Sequence, residues 1–233
     1  MSIILLIASC GKSSTEPRGI ISIGGDTTEI IFALGKIDQV VGRDSTSTFP
    51  SSVTSLPDIG YPRKLGAEGL LSLSPAMIIT SSGAGPPEVI EQIKQTGITF
   101  VLTENGFDLP ALLNRIFIIG KILEAETEAG QLAQAIIAKM KTLEQKLGAV
   151  SQKPKVLFLM SAADGSPMAA GKDTAADAMI SLAKGENVFN SQSGYRTYSY
   201  EALAAAKPDI IMMMEHSLES LGGTGAIRSH PAL

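Results

Sequence analysis

Tyr61 and Arg63 are the residues of this chain whose types and spacing carry the most chemistry. They sit in Leu56-Pro57-Asp58-Ile59-Gly60-Tyr61-Pro62-Arg63-Lys64-Leu65, where two prolines and a glycine restrict the backbone around the phenol. A phenolate oxygen is a hard donor suited to ferric iron. A guanidinium two residues away favours that charged form through its field and hydrogen bonds. The pair therefore suits an axial ligand with its tuning partner. An ordinary loop tyrosine beside an arginine accounts for the same residues, and spacing alone does not choose.

Two carboxylates stand out next, because they recur in the same setting. Glu68 opens Glu68-Gly69-Leu70-Leu71-Ser72-Leu73-Ser74-Pro75-Ala76-Met77-Ile78-Ile79. Glu201, 133 positions on, opens Glu201-Ala202-Leu203-Ala204-Ala205-Ala206-Lys207-Pro208-Asp209-Ile210-Ile211-Met212. The two align without a gap. In each, a proline seven residues after the glutamate ends a short helix, and the apolar run after it reads as a buried strand. Two α/β lobes follow, each presenting one glutamate at a helix start, with a cleft expected between them. An exposed carboxylate on each lobe can register a partner by complementary charge. A favourable charge at a helix N-terminus explains each one equally well.

Other chemistries are excluded or weak. Cys10 is the only cysteine, which rules out disulfide frameworks, zinc–thiolate sites and iron–sulfur clusters within the chain. The two histidines, His216 and His230, have no metal-ligand spacing. No nucleophile elbow or phosphate loop is present, and Gly24-Gly25 lacks the third glycine of a dinucleotide loop. A formal charge of −4 with scattered basic residues gives no footprint for nucleic acid. Met212-Met213-Met214 reads as strand core rather than a thioether ligand set.

Ile3 to Ser9 followed by Cys10 resembles the lipobox of a bacterial lipoprotein signal, which makes Cys10 the lipidated residue. No Lys or Arg precedes that run, and a buried first strand with a passive cysteine is the alternative. The run is too short to span a membrane. At the other end, Ile227 to Leu233 stops as an element begins, so the sequence reads as incomplete at both ends.

The elements that must position these residues are legible from periodicity. Ile20 to Ile23 is a strand, Gly24-Gly25 turns it into a helix, and Asp26 with Glu29 has the spacing of a capping box. Val40-Val41 starts a second strand, and Asp44 to Lys64, rich in Ser, Thr and Pro, is largely loop. Ile98 to Leu102 closes the first lobe. Strands alternating with helices predict a mostly parallel sheet. A shorter helix and then a long one, from about Thr127 to Leu147, form a stiff connector. Val156 to Met160 opens the second lobe, and Thr174 with Asp177 is placed to cap a helix running to about Ala183. The boundaries predicted are a signal remnant over 1–19, an N-terminal lobe over 20–108, connecting helices over 109–149 and a C-terminal lobe over 150–233.

Gly60-Tyr61-Pro62-Arg63-x-Leu65-x-x-Glu68-Gly69-Leu70-Leu71-Ser72-Leu73 resembles the signature of haem-binding proteins that serve bacterial ABC importers. Pro167 to Ile180 is similar to a second segment of that family, and the likeness runs from about Ile20 to the last residue. The resemblance implies the helical-backbone class of periplasmic binding protein, with two Rossmann-like lobes, a long connecting α-helix and no catalysis. It implies ferric haem as transported ligand, Tyr61 as axial ligand, Arg63 as its support, and docking of Glu68 and Glu201 on a permease dimer with its ATPase subunits. Tyr195, Arg196 and Tyr198 mirror the Tyr61 loop and are candidates for stacking on the porphyrin or holding propionates; a polar aromatic loop is the alternative. Ser161 to Ser166 holds no histidine, so one five-coordinate haem is expected. The implied setting is a monomer on the extracytoplasmic side, periplasmic or lipid-anchored. A ferric siderophore or a cobalamin-type corrinoid is the alternative cargo, but such ligands bring their own metal coordination.

Overall fold

The computed structural model describes residues 19–81, 83–104, 106–148, 152–161 and 167–229. The expectations for Cys10, His230 and the 162–166 loop lie outside these residues. Within them the chain divides into two compact units, one of residues 19–104 with Leu113–Ala133 and one of Gly106–Leu112 with 134–229.

The first unit is built on four parallel strands, Ile20–Ile23 (β1), Val40–Arg43 (β2), Met77–Thr80 (β3) and Thr99–Leu102 (β4), in the order β2-β1-β3-β4. Gly25–Ala33 (α1), Ala67–Ser72 (α2) and Pro87–Gln95 (α3) make the connections. A parallel sheet is covered on both faces, which is why its central strands are continuous apolar runs rather than alternating ones. Ile21, Ile23 and Ile78 bury fully against Leu70 of α2 and Ile90 and Ile93 of α3. Leu109–Ile122 (α4) and Glu126–Leu147 (α5) follow, within a residue of the predicted long helix.

One local expectation fails at α1. Its N-cap is Gly24, at φ 101°, and no side chain caps the helix. Asp26 instead pairs with Arg115 of α4 and accepts a hydrogen bond from the Ser81 hydroxyl at 3.1 Å. A buried guanidinium 89 positions away outcompetes the local backbone for that carboxylate. Glu29, left on the exposed side, has its acid raised by partial burial and by the neighbouring Asp26 charge.

The second unit has a mixed sheet. Lys155–Ser161 (β5) pairs in parallel with Glu186–Asn187 (β7) and with Ile210–Met213 (β9). It pairs antiparallel with Met168–Ala170 (β6), which in turn pairs antiparallel with Tyr195–Thr197 (β8). Three-residue strands carry no readable period, so the β6–β8 ribbon was not expected. The helices are Ala175–Leu182 (α6), Tyr200–Ala206 (α7), Glu215–Ser220 (α8) and Gly223–Ser229 (α9). The predicted cap of α6 is present, with the Asp177 backbone N–H donating to Thr174 Oγ1 at 3.1 Å. Met212 and Met213 lie in β9, whereas Met214 is exposed at the start of α8, the helix that contains His216.

Candidate functional site

All four strands of the first sheet run the same way, so the loops after β1, β2 and β3 leave from one edge. Ligands of open α/β sheets bind at that carboxyl edge. The loop after β2 carries Tyr61, and Arg43, the last residue of β2, anchors it. The Arg43 backbone donates to Pro57 O at 2.9 Å and accepts from Ile59 N at 3.0 Å. Its guanidinium pairs with Asp58 at 3.1 Å and donates to Asp44 O at 3.0 Å. Asp44 is wholly buried and its carboxylate accepts from Gly24 N and Ser47 Oγ, both at 2.6 Å, which locks the β1 and β2 loops together.

The next residues are held as firmly. Gly60 takes φ 94°, a conformation that favours glycine, and its carbonyl accepts from Ser45 N at 2.9 Å. Tyr61 O accepts from Lys64 N at 2.8 Å, Pro62 O accepts from Gly85 N at 2.9 Å, and Leu65 N donates to Gly85 O at 2.9 Å. Leu65 is buried in the core just beyond. The side chains stand apart from this lattice. Tyr61 is 47% exposed, Arg63 is exposed, and neither the phenol nor the guanidinium has a hydrogen-bond or ion-pair partner among the described residues. The arrangement is a phenol and a cation offered outward from a backbone that does not have to reorganise, which lowers the cost of binding.

The mirrored residues of the second unit are spent differently. Tyr195 is exposed; desolvation raises its phenol more than the neighbouring Thr174 side chain and Ala176 backbone lower it. Tyr198 stacks on Phe189 with ring centroids 3.8 Å apart and an interplanar angle of 15°. It packs against the core of Leu157, Leu159 and Leu203, and its hydroxyl is buried without a partner among the described residues. Desolvation raises its phenol, partly offset by the Arg196 charge. Tyr198 is thus a packing residue, and no short-range pattern pointed to Phe189 as the partner of its ring. Arg196 is exposed, its Nε donating to Ser193 O at 3.1 Å.

Glu68 and Glu201 are both exposed and both in the first turn of a short helix, α2 and α7. Glu201 has its carboxyl lowered by its own backbone N–H and by the Ser199 hydroxyl. Sequence reasoning missed the residues that hold the Tyr61 loop, namely Arg43, Asp44 and Gly85. Most of their partners are distant in sequence, so no local pattern points to them.

The described residues also line cavities, two of which bear on the site. One of about 350 Å³ lies beside β3, β4 and α3 in the first unit. The other, about 800 Å³, is lined by β9, α8 and α9 of the second unit and contains none of the predicted site residues. Among the described residues no group of three or more His, Cys, Asp or Glu could hold a metal ion, and no helix is long and apolar enough to cross a membrane.

Two α/β units with helix-connected strands, and polar side chains presented from a firmly held loop at a sheet's carboxyl edge, define a ligand-binding α/β protein. The chain belongs to the periplasmic binding protein family, whose profile matches residues 20–233. Among solved structures it is similar to the periplasmic haem-binding protein RhuT of Roseiflexus sp. RS-1 in its apo form. That likeness has a TM-score of 0.87 and 35% identity, over 93% of this chain and 84% of the other. It is 28% identical over 200 residues to the ABC transporter substrate-binding lipoprotein YvrC of Bacillus subtilis, covering 84% of this chain and 63% of the relative. The chain thus spans less than two thirds of that relative's length. A vitamin B12-binding protein of Yersinia pseudotuberculosis is 23% identical over 213 residues, covering 91% of this chain and 75% of the relative.

Proposed function

We propose that this chain is the substrate-capturing component of an ABC importer and that its cargo is ferric haem. Tyr61 supplies the axial oxygen ligand, and Arg63 beside it favours the phenolate and the ferric state. The observation that carries this reading is the pair of exposed side chains, phenol and guanidinium, without protein partners among the described residues on a loop tied by backbone bonds. The likeness to a haem-binding protein at 35% identity supports the same cargo. Tyr195 and Arg196 are proposed as further contacts to the cargo, whereas Tyr198 is taken up by its stack on Phe189. Glu68 and Glu201 dock the loaded protein on a permease dimer with its ATPase subunits. The setting is periplasmic, with Cys10 as a lipid anchor, as the likeness to a lipoprotein supports. The protein works as a monomer in this reading.

The second reading is a corrinoid cargo, favoured by the vitamin B12-binding relative. It leaves Tyr61 and Arg63 without a task, since a corrinoid carries its own metal ligands. Titration with ferric haem, followed by visible absorption in wild type and Tyr61→Phe, separates the two. One-to-one binding with a phenolate-to-iron charge-transfer band that the variant loses supports haem. Saturable cobalamin binding without a haem spectrum would replace it with the corrinoid.

A further inference from the structure

We infer that the first unit carries a side pocket for a carboxylate arm of the cargo, an inference that rests on the haem reading of the Tyr61 loop. The 350 Å³ cavity beside β3, β4 and α3 has apolar walls formed by Ala84, Ile90, Phe100 and Leu102. Leu102 is 65% exposed, so the apolar lining extends to the surface. Two polar groups break that lining. Thr80 is 1% exposed, and its hydroxyl is buried with no hydrogen-bond partner among the described residues. Such a group leaves a desolvation cost that a ligand atom can relieve. Lys94 lies 5.7 Å from the Phe100 ring centroid, its ammonium paired with Glu91 at 2.8 Å. That ion pair is solvent-exposed on both sides and so weak that a ligand carboxylate can replace Glu91 in it.

The cavity also abuts the candidate haem ligand. Gly83, part of its lining, lies against Arg63, whose Nε would be 3.8 Å from a Cβ placed on that glycine. Gly85, two residues on, makes the backbone bonds to Pro62 and Leu65 that hold the Tyr61 loop. An apolar channel with a hydroxyl at its buried end and an ammonium at its side matches a short aliphatic stem ending in a carboxylate. The hydroxyl and the ammonium together replace the hydration such a group gives up. Amide or ester arms would gain the stem contacts but not the charge.

The test uses ferric protoporphyrin IX and its dimethyl ester as probes, titrated into wild type, Thr80→Val and Lys94→Gln. In wild type the diacid binds about tenfold more tightly than the ester. Each variant loses about three- to tenfold for the diacid and little for the ester, with the Tyr61-dependent absorption band unchanged. Valine is isosteric with threonine, so the ester affinity serves as an internal control for the fold. An acid-to-ester ratio in both variants equal to that of wild type, with the band intact, would overturn the side pocket and leave the haem reading standing. If neither probe gives a saturable spectrum with wild type, the haem reading falls and the pocket inference falls with it.

Discussion

The helix–strand unit of α2 and β3 and that of α7 and β9 are the same local structure in two settings. Leu70 and Leu203, at equivalent positions, are both almost completely buried. Ser74 and Lys207, also equivalent, both end their helices in the left-handed region, at φ 46° and 45°, each directly before a proline. The strands begin nine residues after Glu68 and Glu201 alike. What differs is the company each unit keeps. β3 lies between β1 and β4 and is buried along most of its length, while β9 pairs with β5 and is half-exposed. The loop before α2 presents a phenol with no hydrogen-bond partner among the described residues, whereas the segment before α7 has one tyrosine stacked on Phe189. Local sequence sets the unit; its neighbours decide whether a side chain is available for chemistry.

The largest effect expected from this difference is on stability. Leu70→Ala should destabilise by about 3 kcal/mol and Leu203→Ala by about 2 kcal/mol in denaturant unfolding. The reason for the ranking is that the half-exposed surroundings of β9 can collapse into the space left at Leu203. Equal losses would mean that the second core is as rigid as the first. Close behind comes ligand affinity. Tyr61→Phe should weaken ferric haem binding about 100-fold, or about 2.7 kcal/mol, while Tyr195→Phe changes it less than about threefold. A reversed ranking in haem titrations would move the axial ligand to the second unit.

The residues explain why some of this was legible beforehand and some was not. Apolar runs such as Ile20 to Ile23, and the spacing along α5, report burial directly, and those elements fall within a residue or so of expectation. Thr174 and Asp177 cap α6 as their spacing says, because both partners lie within one turn. Asp26 and Glu29 have comparable spacing but no cap forms, since Arg115 and Ser81 reach Asp26 through tertiary structure. The same limit applies at the site. Tyr61 and Arg63 could be picked out by type and spacing, but most of the Arg43, Asp44 and Gly85 bonds that fix their loop join segments 14 or more residues apart. The inward turn of Tyr198 depends on Phe189, nine residues earlier, and no short-range pattern encodes that stacking.

The two glutamates test the symmetry of the units in function rather than fold. Replacing either Glu68 or Glu201 with Ala should lower affinity for the permease, or transport in cells, by about tenfold each, while haem affinity stays unchanged. Additive losses measured in the double variant would show that the two carboxylates are read by separate partner charges. Loss of haem binding on either substitution would instead place the glutamates in the ligand site.

The smallest expected effect separates the two carboxylates electrostatically. Ser199 caps α7, its hydroxyl accepting from Ala202 N at 3.2 Å, whereas α2 begins at Gly66 with no side-chain cap. The Glu201 carboxyl is lowered by its own backbone N–H first and by the Ser199 hydroxyl second, below the ordinary value of 4.5. A lowered acid adds stability that is present above that ordinary value and is lost as pH falls through the lowered one. Because Glu201 is fully exposed, salt screens the contribution. Ser199→Ala should therefore move the Glu201 titration, followed by NMR, upward toward 4.5 without reaching it. The stability gap between this variant and wild type should also be wider at neutral pH than in acid that protonates Glu201. An unmoved titration would assign the whole shift to the α7 backbone.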